Sequence, residues 1–248
     1  GITDILMVIG HLGEKIQEYF RDGERFGVRI RYFVEETPLG TAGSFYYLKD
    51  MVEDTFFMMS GDLFFDIDFG RMLAFHEKKK AAATLFVHPN GHPYDSDLLV
   101  LDEDDRVLKF DSKHNTRDYW YENCVNAGIF VFNRKICDRV PEPVKRNLEN
   151  DVIQGMIQDG ESVYGYRSPE YVKDVGTVDR IQQTLKDIER GFIAEKSLSR
   201  KQKCIFLDRD GTINQYRGLV YKEEDFELEP CAVQAVKRIN QSGRLGIV

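Results

Sequence analysis

Several things are scarce in this sequence. The four cysteines, Cys124, Cys137, Cys204 and Cys231, stand far apart and form no Cys-x-x-Cys pair. Neither a zinc knuckle nor a dithiol redox motif is indicated, and free thiols in a reducing cytoplasm are the simplest reading. Cations are outnumbered, with 34 Lys and Arg against 42 Asp and Glu. The net charge of -8 argues against a nucleic-acid or anionic-membrane binder, yet leaves small phosphorylated molecules open. No apolar window reaches membrane-spanning length. Asp4 interrupts the apolar amino terminus and no basic segment precedes it, so no signal peptide is read there. The single tryptophan, Trp120, is expected to be structural, and His88 and His92 lack a carboxylate at metal-ligand spacing. What remains is a globular composition, 42% hydrophobic and 31% charged, with room for one large domain or two modest ones.

The stretch 55–62 reads Thr-Phe-Phe-Met-Met-Ser-Gly-Asp. An unbroken apolar run predicts a strand covered on both faces, as in the middle of a parallel sheet. Ligands in open α/β sheets bind just past the carboxyl ends of such strands, which places Asp62 where a metal or a sugar hydroxyl would meet it. A plain turn aspartate is the competing reading of Asp62 taken alone.

Around that strand the pattern alternates. Strands are predicted over 5–9, 28–34, 82–87, 124–132 and 163–166, a hairpin over 98–110, and helices after Gly13, around Met72 and over 148–157. Gly40 and Gly43 flank Thr41 and Ala42 just before a helix. Such glycines let a backbone approach a nucleotide at a helix start, or simply shape a loop. Asp66 and Asp68 read as a second acidic pair or as a turn with Asp68 capping the next helix. Asn126, Ala127 and Gly128 are embedded in a strand, where glycine marks a bulge or a ligand's close approach. A further extended run ends in Asp174 and opens a helix over 178–188. Asp174 is thus a second carboxylate at a strand end, and two converging carboxylates suggest a hard divalent cation such as magnesium.

Residues 191–202 are polar and charged and read as a linker. The pattern restarts at 203–207 as a buried strand followed by Asp208-Arg209-Asp210-Gly211-Thr212-Ile213-Asn214. A helix then opens at Pro230 and closes at Gly243, before one more strand.

The string from Phe206 to Asn214, with Glu224-Asp225-Phe226-Glu227 after it, resembles the first motif of the haloacid dehalogenase phosphatase superfamily, in particular the heptose and histidinol bisphosphate phosphatases. The resemblance implies Asp208 as nucleophile and Asp210 as general acid/base, both on magnesium. Carboxylates at i and i+2 on an extended strand end point the same way, toward one phosphorus. It covers only the opening of such a domain. The later Ser or Thr, Lys and metal carboxylates do not occur before Val248, so the stretch alone is not expected to hydrolyse phosphate esters.

Residues 1–190 resemble the sugar-nucleotide pyrophosphorylases, or nucleotidyltransferases. The strings are Pro38-Leu39-Gly40-Thr41-Ala42-Gly43, Ser60-Gly61-Asp62, Phe110-Asp111-Ser112-Lys113, Val125-Asn126-Ala127-Gly128 and Lys173-Asp174-Val175-Gly176-Thr177. The resemblance implies that Gly40, Thr41, Ala42 and Gly43 lie along the nucleotide, with Asp62 beside it. It implies that Asp62 and Asp174 hold the magnesium ion, that Asn126, Ala127 and Gly128 meet the sugar phosphate, and that Lys113 is catalytic. The family's Gly-rich amino-terminal signature is absent, and Ser112-Lys113-His114 stands where Glu-Lys-Pro is usual. Poor turnover of the stretch as it stands is therefore expected.

The expected fold is α/β: a mixed, mainly parallel, Rossmann-like sheet flanked by helices over 1–190, then the first part of a second such domain over 203–248. The expected partners are a nucleoside triphosphate and a sugar 1-phosphate, with a heptose bisphosphate at the second domain. No nucleic acid or membrane is expected, and a homo-oligomer is left open. The fusion points to GDP-heptose as product. The rivals are another hexose-1-phosphate nucleotidyltransferase, a glycosyltransferase using Asp66 and Asp68, and a non-catalytic sugar-nucleotide sensor.

Overall fold

The computed structural model describes residues 1–201, 203–242 and 244–248; Gly243, expected to close the last helix, and Gln202, at the end of the expected linker, lie outside the described residues. In chain order the strands are β1 (Asp4–Ile9), β2 (Arg29–Val34), β3 (Thr55–Met59), β4 (Leu63–Asp66), β5 (Ala83–His88), β6 (Leu98–Leu101), β7 (Val107–Asp111), β8 (Val125–Asn133), β9 (Val163–Arg167), β10 (Tyr171–Asp174), β11 (Cys204–Phe206) and β12 (Leu245–Ile247). The helices are α1 (Gly13–Phe20), α2 (Phe45–Leu48), α3 (Phe69–Lys79), α4 (Gln154–Gln158), α5 (Val178–Glu189), α6 (Phe192–Lys196) and α7 (Ala232–Gln241). The chain forms two compact units, one of residues 1–60 and 70–168, the other of 61–69 and 169–248.

The first unit is built on β8. This nine-residue strand pairs antiparallel with β5 on one side and with β3 and β6 on the other; β7 continues the sheet from β6, and β9 runs parallel to β5. Five consecutive residues of β5, Ala83 to Val87, are buried, as a strand with neighbours on both edges and cover on both faces requires. Phe130 and Phe132 of β8 stack with centroids 5.3 Å apart, and Phe45 of α2 meets Phe132 edge-on. Burying each such ring contributes about 1.5–3 kcal/mol.

The expected mainly parallel sheet is corrected here: within this six-stranded sheet only the β5–β9 pairing is parallel, because β8 runs against all three of its neighbours. The covered strand predicted at 55–59 is likewise corrected, since Phe56 to Met59 are half-buried and Thr55 is exposed. The predicted helix over 148–157 begins as a π-helical turn, Leu148–Ile153, before α4 takes over. Trp120 is 83% exposed, which rules out the packing role expected of it.

In the second unit β4 and β10 form an antiparallel pair, and α5 follows β10. Asp187 of α5 accepts from Tyr171 Oη at 2.8 Å and Lys173 Nζ at 3.1 Å, tying the helix back to the strand that delivers Asp174. Further along, β11 and β12 run parallel with α7 between them, a β–α–β arrangement. Among the described residues no helix is long and apolar enough to cross a membrane.

Candidate active site

Antiparallel register explains how two acids remote in sequence meet. Asp174 is opposite Leu63, and the Val175 N–H donates to the Asp62 carbonyl at 2.7 Å, so the start of β4 and the end of β10 coincide. The carboxylates converge on Gly176: a Cβ placed there would stand 3.1 Å from Asp174 Oδ1 and 3.2 Å from Asp62 Oδ2. Asp174 Oδ1 accepts the Gly176 N–H at 2.8 Å, and Arg180 of α5 pairs with Oδ2 at 2.6 Å. The Gly176 N–H, aided by the Arg180 guanidinium, holds the Asp174 carboxyl below the usual carboxylate range. Both aspartates are exposed.

Two hard oxygen donors flanking a side-chain-free position fit a small divalent cation that keeps most of its waters and takes the rest of its ligands from phosphate. Among the described residues no group of three or more His, Cys, Asp or Glu is placed to hold a metal, so a protein-only cage is not what this site offers.

The glycine loop takes the loop-shaping role, the alternative to nucleotide approach. A Cβ on Gly40 would stand 2.4 Å from the Arg146 carbonyl oxygen, and one on Gly43 would stand 2.4 Å from the carbonyl oxygens of both Leu39 and Val144. Gly40 also has φ of 76°, in the left-handed region. The Ala42 N–H donates to the Arg146 carbonyl at 3.1 Å, and Thr41 Oγ1 accepts the Leu148 N–H at 2.7 Å. Residues 40–43 thus grip the 144–148 segment, and the close approach that glycine permits here is of backbone to backbone. Ala42 is fully buried, whereas Gly40 and Thr41 remain exposed.

The third group lies at the start of β8. Asn126 and Gly128 are half-buried and Ala127 is buried, with Gly128 at φ 72°. The Asn126 N–H donates to the Asp97 carbonyl at 3.1 Å, while Asp97 Oδ1 accepts the Lys113 N–H at 2.8 Å. A single residue thereby holds Lys113 and Asn126 in fixed relation. The Lys113 side chain is exposed. The Gly128 carbonyl accepts the Ser60 N–H at 3.1 Å.

Glu149 is an acid that the sequence does not single out. It follows Leu148, the residue that Thr41 holds, and burial pushes its carboxyl above the usual range, with the nearby Asp97 charge adding to the effect. Glu149 is half-buried, and nothing in the string Asn147-Leu148-Glu149 marks an acid in such a setting.

Asp208 and Asp210 follow β11. Asp208 is exposed. Asp210 is bound through both oxygens by Arg209 at 2.9 Å and accepts Asn214 Nδ2 at 3.0 Å, and the Arg209 pair comes first among the contacts that lower its pKa. Gly211, at φ 82°, turns the chain, and its N–H meets the Asn214 carbonyl at 2.7 Å. Asn214 is fully buried, with Oδ1 left without a partner.

Comparison with known proteins agrees with this architecture. Residues 1–191 match the family described as Nucleotidyl transferase. The mannose-1-phosphate guanylyltransferase of Mycobacterium tuberculosis is 30% identical over 200 residues, 80% of this chain but 55% of that protein; the chain spans little more than half its length. The D-glycero-alpha-D-manno-heptose 1-phosphate guanylyltransferase of Aneurinibacillus thermoaerophilus is 28% identical, over 76% of this chain and 80% of that protein. Among solved structures, HddC from Yersinia pseudotuberculosis superimposes with a TM-score of 0.64 at 16% identity, covering 76% of this chain and 80% of the other, a likeness of fold. The match over residues 1–191 shows that this chain belongs to the nucleotidyl transferase family.

Proposed function

We propose that this protein transfers a nucleotidyl group to a sugar 1-phosphate, giving a nucleoside diphosphate sugar and pyrophosphate, with guanine as the base and a heptose phosphate as acceptor. The observation that carries the reading is the convergence of Asp62 and Asp174 on Gly176 in a chain of this family. The choice of guanine and heptose is supported by relatives named for guanylyl transfer to mannose or heptose 1-phosphate, and by the restart at Asp208.

In this reading the sugar-phosphate oxygen attacks the α-phosphorus, the bond to the β-phosphate oxygen breaks, and pyrophosphate leaves with that oxygen. Positioning and charge neutralisation supply most of the rate. Asp62 and Asp174 would hold the magnesium ion, which when bound supplies positive charge against the triphosphate. Gly40, Thr41, Ala42 and Gly43 take the nucleotide, Gly40 and Thr41 offering the exposed edge. Asn126 to Gly128 take the sugar phosphate through backbone and amide groups. Lys113 brings an exposed ammonium to the phosphate.

Residues 203–248 are read as the opening of a phosphatase-type β–α–β domain acting on a heptose bisphosphate, with Asp208 as nucleophile and Asp210 as acid/base. The parallel β11–α7–β12 pairing supports this, as does the buried Asn214 amide beside Asp210.

The test is a panel of nucleoside triphosphates against heptose and mannose 1-phosphates on the full-length protein, following pyrophosphate. The expected result is magnesium-dependent release, greatest with GTP and heptose 1-phosphate. Nucleoside diphosphate as product would identify a glycosyltransferase instead, and binding without turnover would identify a sensor.

A further inference from the structure

Asp111 is a buried charge with four side-chain partners. It is 1% exposed and ends β7, two residues before Lys113. Its carboxylate accepts from Arg117 Nε at 2.8 Å, Tyr119 Oη at 2.6 Å and Asn115 Nδ2 at 2.9 Å, with Lys109 Nζ at 3.1 Å. Arg117, whose side chain is 5% exposed, spends three further N–H groups on backbone: Nη1 on the Pro93 carbonyl at 3.0 Å, Nη2 on the Ser96 carbonyl at 2.7 Å and on the Asp111 carbonyl at 2.8 Å. One guanidinium therefore ties the 93–96 segment to the end of β7.

Those two segments carry the groups that matter in the proposed reaction. Asp97 follows Ser96 directly, and it fixes the Lys113 N–H through its side chain and the Asn126 N–H through its carbonyl. The Lys113 turn is closed by the Asn115 N–H on the Ser112 carbonyl at 2.9 Å, and Asn115 is itself held by Asp111. The ring of contacts runs from Asp111 through Arg117 and Ser96 to Asp97, and from there to both Lys113 and Asn126. A buried ion pair with every polar atom satisfied is poor evidence of stabilisation for its own sake, but it fixes geometry, because removing one partner leaves an unpaired buried charge.

We propose that the Asp111–Arg117 pair is the positioning element for the sugar 1-phosphate: it sets where Lys113 and Asn126 stand relative to one another, while neither of its own side chains reaches substrate. The inference rests on the nucleotidyl-transfer reading above. It assigns the pair a selective effect, on the acceptor and not on the nucleoside triphosphate, because the nucleotide loop at 40–43 is held independently by residues 144–148.

The test is steady-state kinetics of pyrophosphate release on the full-length protein, varying each substrate in turn, for Tyr119→Phe, Asn115→Ala and Asp111→Asn. The first two remove one hydrogen bond from the carboxylate without stranding a buried charge, so they keep the test open if Asp111→Asn fails to fold. The expected result is a rise in KM for the sugar 1-phosphate, about threefold for Tyr119→Phe and about tenfold for Asn115→Ala or a folded Asp111→Asn, with KM for the nucleoside triphosphate unchanged. An equal change in both KM values, or a fall in kcat alone, would overturn it and leave the pair a structural brace. Wild-type protein that releases no pyrophosphate with any triphosphate and sugar 1-phosphate overturns the nucleotidyl-transfer reading and this inference with it. Wild-type turnover with unaltered KM in the variants sinks this inference alone.

Discussion

Two sets of glycines in this chain do opposite work. At Gly40 and Gly43 the space a Cβ would fill belongs to backbone carbonyls of residues 39, 144 and 146. Carbonyl oxygens on a packed segment cannot retreat, so these glycines serve the fold first. At Gly176 the same space is bordered by two carboxylate oxygens, the ends of exposed side chains that can move. Sequence cannot separate the two, since each is a glycine in a motif the family resemblance marks as functional. The environment separates them, and with it the kind of damage a substitution does.

The largest effect is expected where the comparison predicts chemistry without structure. Asp174→Asn keeps the shape of the side chain and removes its charge, so turnover should fall by about 10²- to 10³-fold, on the scale of losing one preorganised electrostatic contact. Both partners of the Asp174–Arg180 pair are about half exposed, and such pairs contribute little to stability, so the melting temperature should move by no more than about 2 °C. Calorimetry beside the pyrophosphate assay reads both numbers. A variant that melts early, or one that turns over at the wild-type rate, would remove Asp174 from the chemical side of the comparison.

The glycines themselves give the next test. Gly43→Ala forces a methyl against two fixed carbonyls and should cost about 1–3 kcal/mol, several degrees of melting temperature. Gly176→Ala meets only movable carboxylates at 3.1 and 3.2 Å. It should leave the melting temperature within about 1 °C while lowering turnover about tenfold, because the carboxylates must part to admit the methyl. Thermal melts and rates measured on the same preparations decide it, and a reversed order would break the distinction.

How much of this was legible beforehand follows the same division. The strands at 5–9, 82–87 and 163–166 were readable because short stretches rich in β-branched, aromatic and apolar residues between polar or glycine-bearing segments have few other uses. The antiparallel course of β8 against β3, β5 and β6 was not. The Phe-Phe-Met-Met run of β3 fits a covered parallel strand as well as the half-buried antiparallel one it is, and only the opposed course of β8 decides. Asp62 and Asp174 were legible as strand-end acids through their motifs, but their convergence depends on the β4–β10 register. The settings of Asp97 and Glu149 were not legible, because their surroundings come from segments remote in sequence; Asp111 stood in a quoted motif, yet its local partners at 109, 115, 117 and 119 follow no periodicity that would announce them. Lys113 was singled out through its motif, and the contact that holds its backbone was not.

The smallest expected effect is a control from the core, where a titratable group serves packing alone. His76 of α3 is buried, and its ring nitrogen Nδ1 lies 2.9 Å from Thr84 Oγ1 of β5. Burial lowers its pKa below the usual imidazole value, against a weaker opposing effect of the Glu77 charge. The native state therefore binds the proton less readily than the unfolded chain does. The neutral imidazole's contribution is fully present above the unfolded value of about 6.5 and is lost as the pH falls below that value through the lower native one. Urea melts at pH 7.5 and pH 5 should show the wild type losing stability on acidification, with a share that His76→Gln does not lose. That share should be the same in Asp174→Asn, because the Asp174 pair is formed at an exposed strand end and His76 titrates inside the other unit's core. A pH dependence identical in wild type and His76→Gln would show that this imidazole is not the group responsible.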